Sequence, residues 1–344
     1  MRVSKIKVSS SYFGKLLETD SNLKKCLQYL PDGVNAKDLL PKGKQLSLDF
    51  VLTNTNSGFA NALRTALVEE STVQSLEVKK LDTDDKFIIY DHIVKRIEAI
   101  PIQQGIVYDK PITINITNET RDFMSVMSKD IKIDGKFNNS RFFEDTIQII
   151  KLNPGKSLKI VMHVVSGDGR EDSNKFSNVA NVRYAPGGEP LDEATGRGKS
   201  SLESNPTTFS IGVTTYRNNS LKNIMYNAIK SLYERLDIYS SELKNVIMNG
   251  KKISYRSKKL VIQTFGPMYL FELKGEFRSI PGMISKNCYE LCPSIQFVVP
   301  TIKHRSIECG YIKIVHPSPI KLIQAAIDKA KKDLDVLKKE FKDL

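Results

Sequence analysis

Cysteine and histidine are scarce in this 344-residue chain, with four of each. Cys26, Cys288, Cys292 and Cys309 are too few and too scattered for a disulfide framework, so reduced thiols are expected. His163 sits in an apolar run and His92 at the start of a helical stripe, and neither has a Ser, Cys or paired carboxylate at motif spacing. A nucleophilic triad or an acid–base pair therefore finds no support. Nowhere do about 18 apolar residues run together, which argues against a helical membrane span. The opening MRVSKIKVSSSYFGKLLETD lacks the apolar centre of a secretory signal, so the expected location is intracellular. What is plentiful is apolar and basic. Hydrophobic residues make up 40% and charged residues 26%, enough for packed cores and too apolar for global disorder. A single core rarely grows past about 250–300 residues, so two or more modules are expected. The net charge of +13 points to nucleic acid or an acidic partner nearby, and speaks to association rather than to fold.

Residues 1–44 form a basic lead segment with weak periodicity, read as an extension with one short helix at most. SLDFVLTN (47–54) alternates like a half-buried strand. It leads into NTNSGFANALRTALVEE, where Asn56 or Ser57 can cap a helix with Phe59, Leu63, Ala66 and Leu67 on one face. A strand is expected at 73–80. A helix with the stripe Ile93, Ile97 and Ile100 follows, closed by Pro101. Residues 106–184 turn to period two (ITINIT, TIQIIKL, SLKIVMHVV), with turn signals at Asp134-Gly135 and Pro154-Gly155. Residues 185–206 are rich in Gly, Pro, Ser and charge, the composition of a loop. Helical patterning then returns with Leu221, Ile224, Met225, Ala228, Ile229, Leu232 and Leu236 on one face. The economical explanation is a β-rich domain inserted into an α+β module.

A basic connector without acidic residues runs from Lys244 to Lys259. Beyond it come a strand (260–273), a helix (279–291), two strands (294–299 and 309–315) and a long helix (320–341). In that last helix Ile320, Ile323, Ile327, Ala330, Leu334, Leu337 and Phe341 recur at alternating steps of three and four, a heptad seam. Each Leu or Ile buried along it contributes about 1.5–3 kcal/mol, and a lone helix cannot bury it. The helix near Met225 is the expected partner.

Three sharper readings fail on their residues. ATGRGKSS (194–201) lacks the first glycine of a phosphate loop, because Glu193 stands in its place. Cys288 and Cys292 share a helix face, but Cys288 also continues the stripe Ile280, Met283, Ile284, Leu291, so packing is preferred over zinc. Asp82, Asp84 and Asp85 read as a solvated loop rather than a metal cluster. The basic stretches 1–44 and 244–259 leave open an independent nucleic-acid-binding protein, of the sequence-independent kind, since stacking aromatics and recognition motifs are missing.

SLDFVLTNTNSGFANALRTALVEE followed by DHIVKRIEAIPI resembles the dimerisation domain of the α-type, third-largest subunit of multisubunit RNA polymerases. Asn61, Ala62, Leu63 and Arg64 match its first helix motif, and Arg96, Ile100 and Pro101 its second. LNPGKSLKI, the segment from Gly167 to Tyr184 and the strand and helix at 207–236 continue the likeness, which covers about 45–238. A second stretch, FELKGEFRSIPGMISKNCYEL with SIQFVVPTIKH and the closing helix, is similar to the eleventh subunit over about 260–342, with Gly282 and His304 at motif positions. The two subunits would be fused in one chain, as in some large DNA viruses of eukaryotes. Departures are visible: Thr65 replaces the second arginine of the helix motif, and no cysteine lies between Cys26 and Cys288 to build the metal element some relatives carry.

The resemblance implies an α+β fold, with an α-like dimerisation module at 45–103 and 205–240 and an inserted β-rich domain at 104–204. A basic linker at 241–259 and an eleventh-subunit-like module at 260–344 complete it. It implies a non-catalytic assembly platform with no cofactor and no metal. The partners would be the second-largest and largest polymerase subunits and a small subunit. DNA and RNA would be met only through the complex, in the host cytoplasm and the virion. The expected seam between modules comprises Phe59, Leu63, Leu67, Leu221, Met225, Leu232, Ile284, Ile323, Ile327, Leu334 and Leu337. The expected docking residues are Asn61, Arg64, Thr65, Arg96, Arg170 and Lys175.

Overall fold

The structure, a computed structural model, describes residues 1–12, 44–69, 72–102, 105, 107–133, 136–137, 147–177, 179–187, 206–216, 220–246, 253–302 and 309–342. The fold is α+β, with antiparallel sheets throughout. No described helix is long and apolar enough to cross a membrane.

One sheet has the order β1 (Arg2–Tyr12), β2 (Lys44–Thr53), β11 (Thr208–Tyr216), β10 (Asn181–Pro186). Its register sets the core. Leu48, Phe50 and Leu52 face Val213, Ile211 and Phe209 across the β2–β11 ladder, and all six are buried. The intervening residues look the other way, where Asp49 pairs with Arg183 at 3.0 Å. Two helices cover the apolar face: α1 (Ser57–Val68) and α3 (Leu221–Lys244). Asn56 caps α1 by accepting the Phe59 amide at 2.9 Å, as its residue type favours. The sequence stripe on α3 is extended by Tyr239 and Leu243, so this helix outruns its expected end.

The second module has a sheet of order β12 (Tyr255–Arg256), β13 (Leu260–Phe265), β14 (Met268–Lys274), β16 (Cys309–Val315), β15 (Phe297–Ile302). The expected strand 260–273 is in fact a hairpin, turned at Gly266 with φ +57°. Helix α4 (Ser279–Leu291) joins β14 to β15, and α5 (Pro319–Glu340) closes the chain's described part. Helices and sheets of both modules share one buried cluster.

A separate core belongs to the inserted domain. Its larger sheet runs β3 (Val73–Thr83), β9 (Ser157–Gly167), β4 (Ile112–Thr117), β6 (Lys132–Ile133), β7 (Lys136–Phe137). A smaller pair joins β5 (Met124–Met127) to β8 (Gln148–Leu152), and α2 (Tyr90–Glu98) packs on β3 and β8. Leu76, Ile93, Ile97, Ile114, Ile160 and Met162 are among the residues filling it.

Three further expectations are corrected. Residues 2–12 are an edge strand of the first sheet and not part of an extension, because β1 pairs with β2 along its length. The cores do not divide at residue 103: β3 and α2 already belong to the insert, while β10, inside the expected insert, returns to the first sheet. The acidic loop is not simply solvated. Asp85 is only 2% exposed, and its carboxylate accepts the Asn153 amide at 3.1 Å, the Asn153 Nδ2 at 2.7 Å and the Phe87 amide at 3.1 Å. Burial would raise its pKa, but these bonds prevail and hold it below the usual value. The loop 194–201, the turn at 134–135 and His304 lie outside the described residues.

Candidate functional site

The contacts between the two modules follow a reciprocal pattern. Short helix α1 packs on short helix α4, and long helix α3 packs on long helix α5. Within each module the short helix also touches the long one. That is the contact scheme of a two-fold pair, realised inside one chain. Phe59, Leu63, Leu67, Leu221, Met225, Leu232, Ile284, Ile323, Ile327, Leu334 and Leu337 are all buried in this shared cluster. The heptad helix α5 packs on α4 as well as on the expected α3, so its seam meets helices of both modules. Of its stripe, Ile320 is only partly buried, and on α4 Leu291 is exposed.

Close approach between α1 and α4 depends on Gly58. A Cβ there would lie 2.7 Å from the Gly282 carbonyl oxygen and 3.0 Å from the Lys286 Cβ. Beside this crossing runs a buried polar chain. The Asn56 Nδ2 donates to the Asn287 Oδ1 at 2.7 Å, and the Asn287 Nδ2 donates to the Ala326 carbonyl on α5 at 3.0 Å. The Lys329 ammonium also reaches Asn287 Oδ1, at 3.4 Å. At the other end of the seam, Arg235 on α3 forks onto the buried Glu276 carboxylate, with Nε to Oε1 at 2.9 Å and Nη2 to Oε2. The same guanidinium donates to Ser279 Oγ at 3.2 Å. The Tyr239 hydroxyl donates to the Lys274 carbonyl at 3.0 Å, and burial beside Glu276 pushes its phenol pKa up. Gln324 on α5 donates to Ser240 on α3 at 2.8 Å, and Lys331 pairs with Asp237. The first sheet also grips α5: the terminal amine of Met1 lies 3.3 Å from Asp333, and Phe50 meets Phe341 edge-on at 5.0 Å.

The expected docking residues fall into separate groups. Asn61, Arg64 and Thr65 form one half-buried patch on α1. Arg64 Nε donates to Asn61 Oδ1 at 3.2 Å and its Nη2 to Thr65 Oγ1 at 3.4 Å, while the Thr65 hydroxyl donates to the Asn61 carbonyl at 2.9 Å. Burial raises the pKa of the nearby Tyr184, with Arg64 pulling the other way. Arg96 lies on the inserted domain and donates to the Ile149 carbonyl at 3.0 Å. Arg170 grips Asp168 at 2.7 Å and reaches the Gly275 carbonyl at 3.4 Å, so it ties the 168–176 loop to the second module. Burial would raise the Asp168 pKa, but Arg170 holds it down. Lys175 sits between Glu77 (3.2 Å) and Glu98 (3.5 Å). Both Arg170 and Lys175 thus have structural partners within the chain.

A cleft of about 560 Å³ opens at the α1–α4 crossing, lined by Asn56, Ser57, Pro206, Thr207, Lys286, Tyr289 and Glu290. Among the described residues no group of three or more His, Cys, Asp or Glu is placed to hold a metal ion. Cys288 is fully buried among apolar neighbours, and burial pushes its thiol pKa up to about 12. Sequence reasoning missed Asn287, Arg235 and Glu276. Periodicity marks apolar faces, and a polar residue on such a face carries no signal until its partner from a distant segment is known. No protein-family model matches the chain, and no curated protein is significantly similar to it.

Proposed function

We propose that this chain is a non-catalytic assembly subunit of a multisubunit DNA-directed RNA polymerase, an internal pseudo-heterodimer of an α-like module and an eleventh-subunit-like module. The observation that carries this reading is the reciprocal pairing of α1 with α4 and α3 with α5, made by two strand-and-helix units tethered in tandem. Such a unit offers a broad, rigid base for larger partners. The helix motif Asn61, Ala62, Leu63, Arg64 that resembles the α-type family supplies the docking patch. Its guanidinium is pre-positioned by Asn61 and Thr65, which lowers the ordering cost of binding. The second-largest subunit would dock there. The largest subunit and a small subunit would be bound elsewhere on the platform, and the metal-binding carboxylates of catalysis would belong to the large subunits.

Co-expression with the second-largest polymerase subunit from the same source tests the reading. The expected result is co-purification that Arg64→Ala weakens while the thermal midpoint of the chain stays put. Failure of every large polymerase subunit to co-purify, together with salt-sensitive binding of the isolated chain to DNA, would replace the platform with a nucleic-acid-binding protein.

A further inference from the structure

An apolar seam between two similar modules poses a selection problem. Greasy faces of like shape attract their own kind as readily as each other, and two copies of the chain carry four such faces. The buried amide chain at the α1–α4 crossing breaks that equivalence. Asn287 is fully buried, and each of its polar atoms is engaged: Oδ1 by Asn56 Nδ2 and Lys329, Nδ2 by the Ala326 carbonyl. Asn56 accepts the Phe59 amide of the α1 cap with its Oδ1 and turns its Nδ2 to the partner module.

The buried residues of α1 are Phe59, Ala60, Ala62, Leu63, Ala66 and Leu67, all apolar. If a second α1 took the place of α4, Asn56 would find no buried acceptor side chain there. Conversely, a second α4 in place of α1 would remove the amide donor at 2.7 Å and leave the Asn287 oxygen to the Lys329 ammonium at 3.4 Å. The first exchange takes the acceptor from the Asn56 amide and the second takes the nearer of two donors from Asn287, and both are disfavoured. We infer that the Asn56–Asn287 amide pair selects the pairing, making each module choose the other within its chain over the matching module of a second copy. A single buried asparagine fixes register and oligomer state in coiled coils by the same physics.

The test co-expresses two full-length copies carrying different affinity tags and purifies through both. Wild type is expected to yield almost no doubly tagged material. Asn56→Ser keeps a capping oxygen for α1 but removes the Nδ2 donor, and Asn287→Leu removes the acceptor that the Asn56 Nδ2 uses. Each is expected to raise the doubly tagged fraction roughly 5- to 150-fold, the weight of one unmet buried amide. Lys331→Ala, which breaks the pair with the half-exposed Asp237 on the same seam, should leave the fraction at the wild-type level. If Asn287→Leu does not fold, Asn56→Ser still decides. The inference is overturned if Asn56→Ser folds and remains as free of mixed species as wild type, or if wild type itself forms them.

Discussion

The α1–α4 crossing provides a pair of substitutions with opposite expected signs. Gly58 is the second residue of α1, where the propensity gain from a methyl group is smaller than the roughly 1 kcal/mol of a helix interior. Its added Cβ would sit 2.7 Å from a backbone carbonyl oxygen, Gly282 O, and 3.0 Å from Lys286 Cβ and Cγ. A backbone atom held inside α4 cannot swing aside, so the helices must separate. Overpacking of this kind costs about 1–3 kcal/mol, and apolar contacts between the two helices would loosen as the gap opens. Gly58→Ala is therefore expected to destabilise the chain by about 1–2 kcal/mol net. At Gly282 an added Cβ meets nothing within 4 Å, although the residue lies inside α4. Gly282→Ala is expected to stabilise by about 0.4–1 kcal/mol through the unfolded state and helix propensity. Urea unfolding followed by far-UV circular dichroism reads both midpoints. A Gly58→Ala chain as stable as wild type would refute the close crossing, and a destabilising Gly282→Ala would refute the open space beside it.

Two further outcomes are expected. Asp85 has a folded pKa below its unfolded value of about 3.9, so its contribution is fully present above pH 4 and is lost as pH falls through the folded value. Asp85→Asn should cost the inserted domain about 1–3 kcal/mol at pH 7 and flatten the acid loss of stability. Hydrogen exchange of β3 and β9 amides across pH 2–7 reads this as order-of-magnitude protection changes, and an unchanged acid profile in the variant would sink it. Native alkylation at pH 8 should spare Cys288, whose thiol is buried and whose pKa is pushed up to about 12, while the part-exposed Cys292 reacts; peptide mapping that finds Cys288 modified without denaturant would contradict its burial.

How far the sequence could be read depended on the kind of signal. The long α5 stripe was legible because a three–four alternation over many turns has one physical solution, a buried helix, and Ile323, Ile327, Ala330, Leu334, Leu337 and Phe341 are buried. Its α3 partner was legible for the same reason, and α4 matched its expected span. Strand β1 was not. Its exposed residues include Arg2, Lys5, Ile6, Lys7 and Val8, so the alternation is blurred, and its mate β2 is distant in sequence. The placement of β3 with the insert was equally hidden. Its alternation fits either sheet, and only the β3–β9 pairing decides. The polar members of the seam were invisible as a set. Asn287 on α4 and Asn56 before α1 are far apart in the chain, and each alone reads as a surface residue or a cap. The expected docking residues rested on the resemblance alone, and two of them, Arg170 and Lys175, are engaged within the chain.

The tether between the modules leads to the last expectation. Val246 and Ile253 both pack against the shared core. Covalent connection makes module pairing intramolecular, with an effective concentration on the order of mM. A seam that must also desolvate Arg235, Glu276, Asn56 and Asn287 gains from that advantage, because buried polar groups add selectivity more than net affinity. Placing a protease site between Val246 and Ile253 and cutting the folded protein should leave the halves associated, held by the apolar faces of α1, α3, α4 and α5. The unfolding free energy of the cut protein should then depend on concentration, falling by about 1.4 kcal/mol for each tenfold dilution. The uncut chain should show no such dependence. Urea unfolding over a dilution series measures both, and size-exclusion chromatography shows whether the cut halves stay together. Halves that separate at every concentration would mean that the tether, not the helical seam, holds the modules together, and the reciprocal packing of α1 on α4 and α3 on α5 would lose its standing as the basis of the fold.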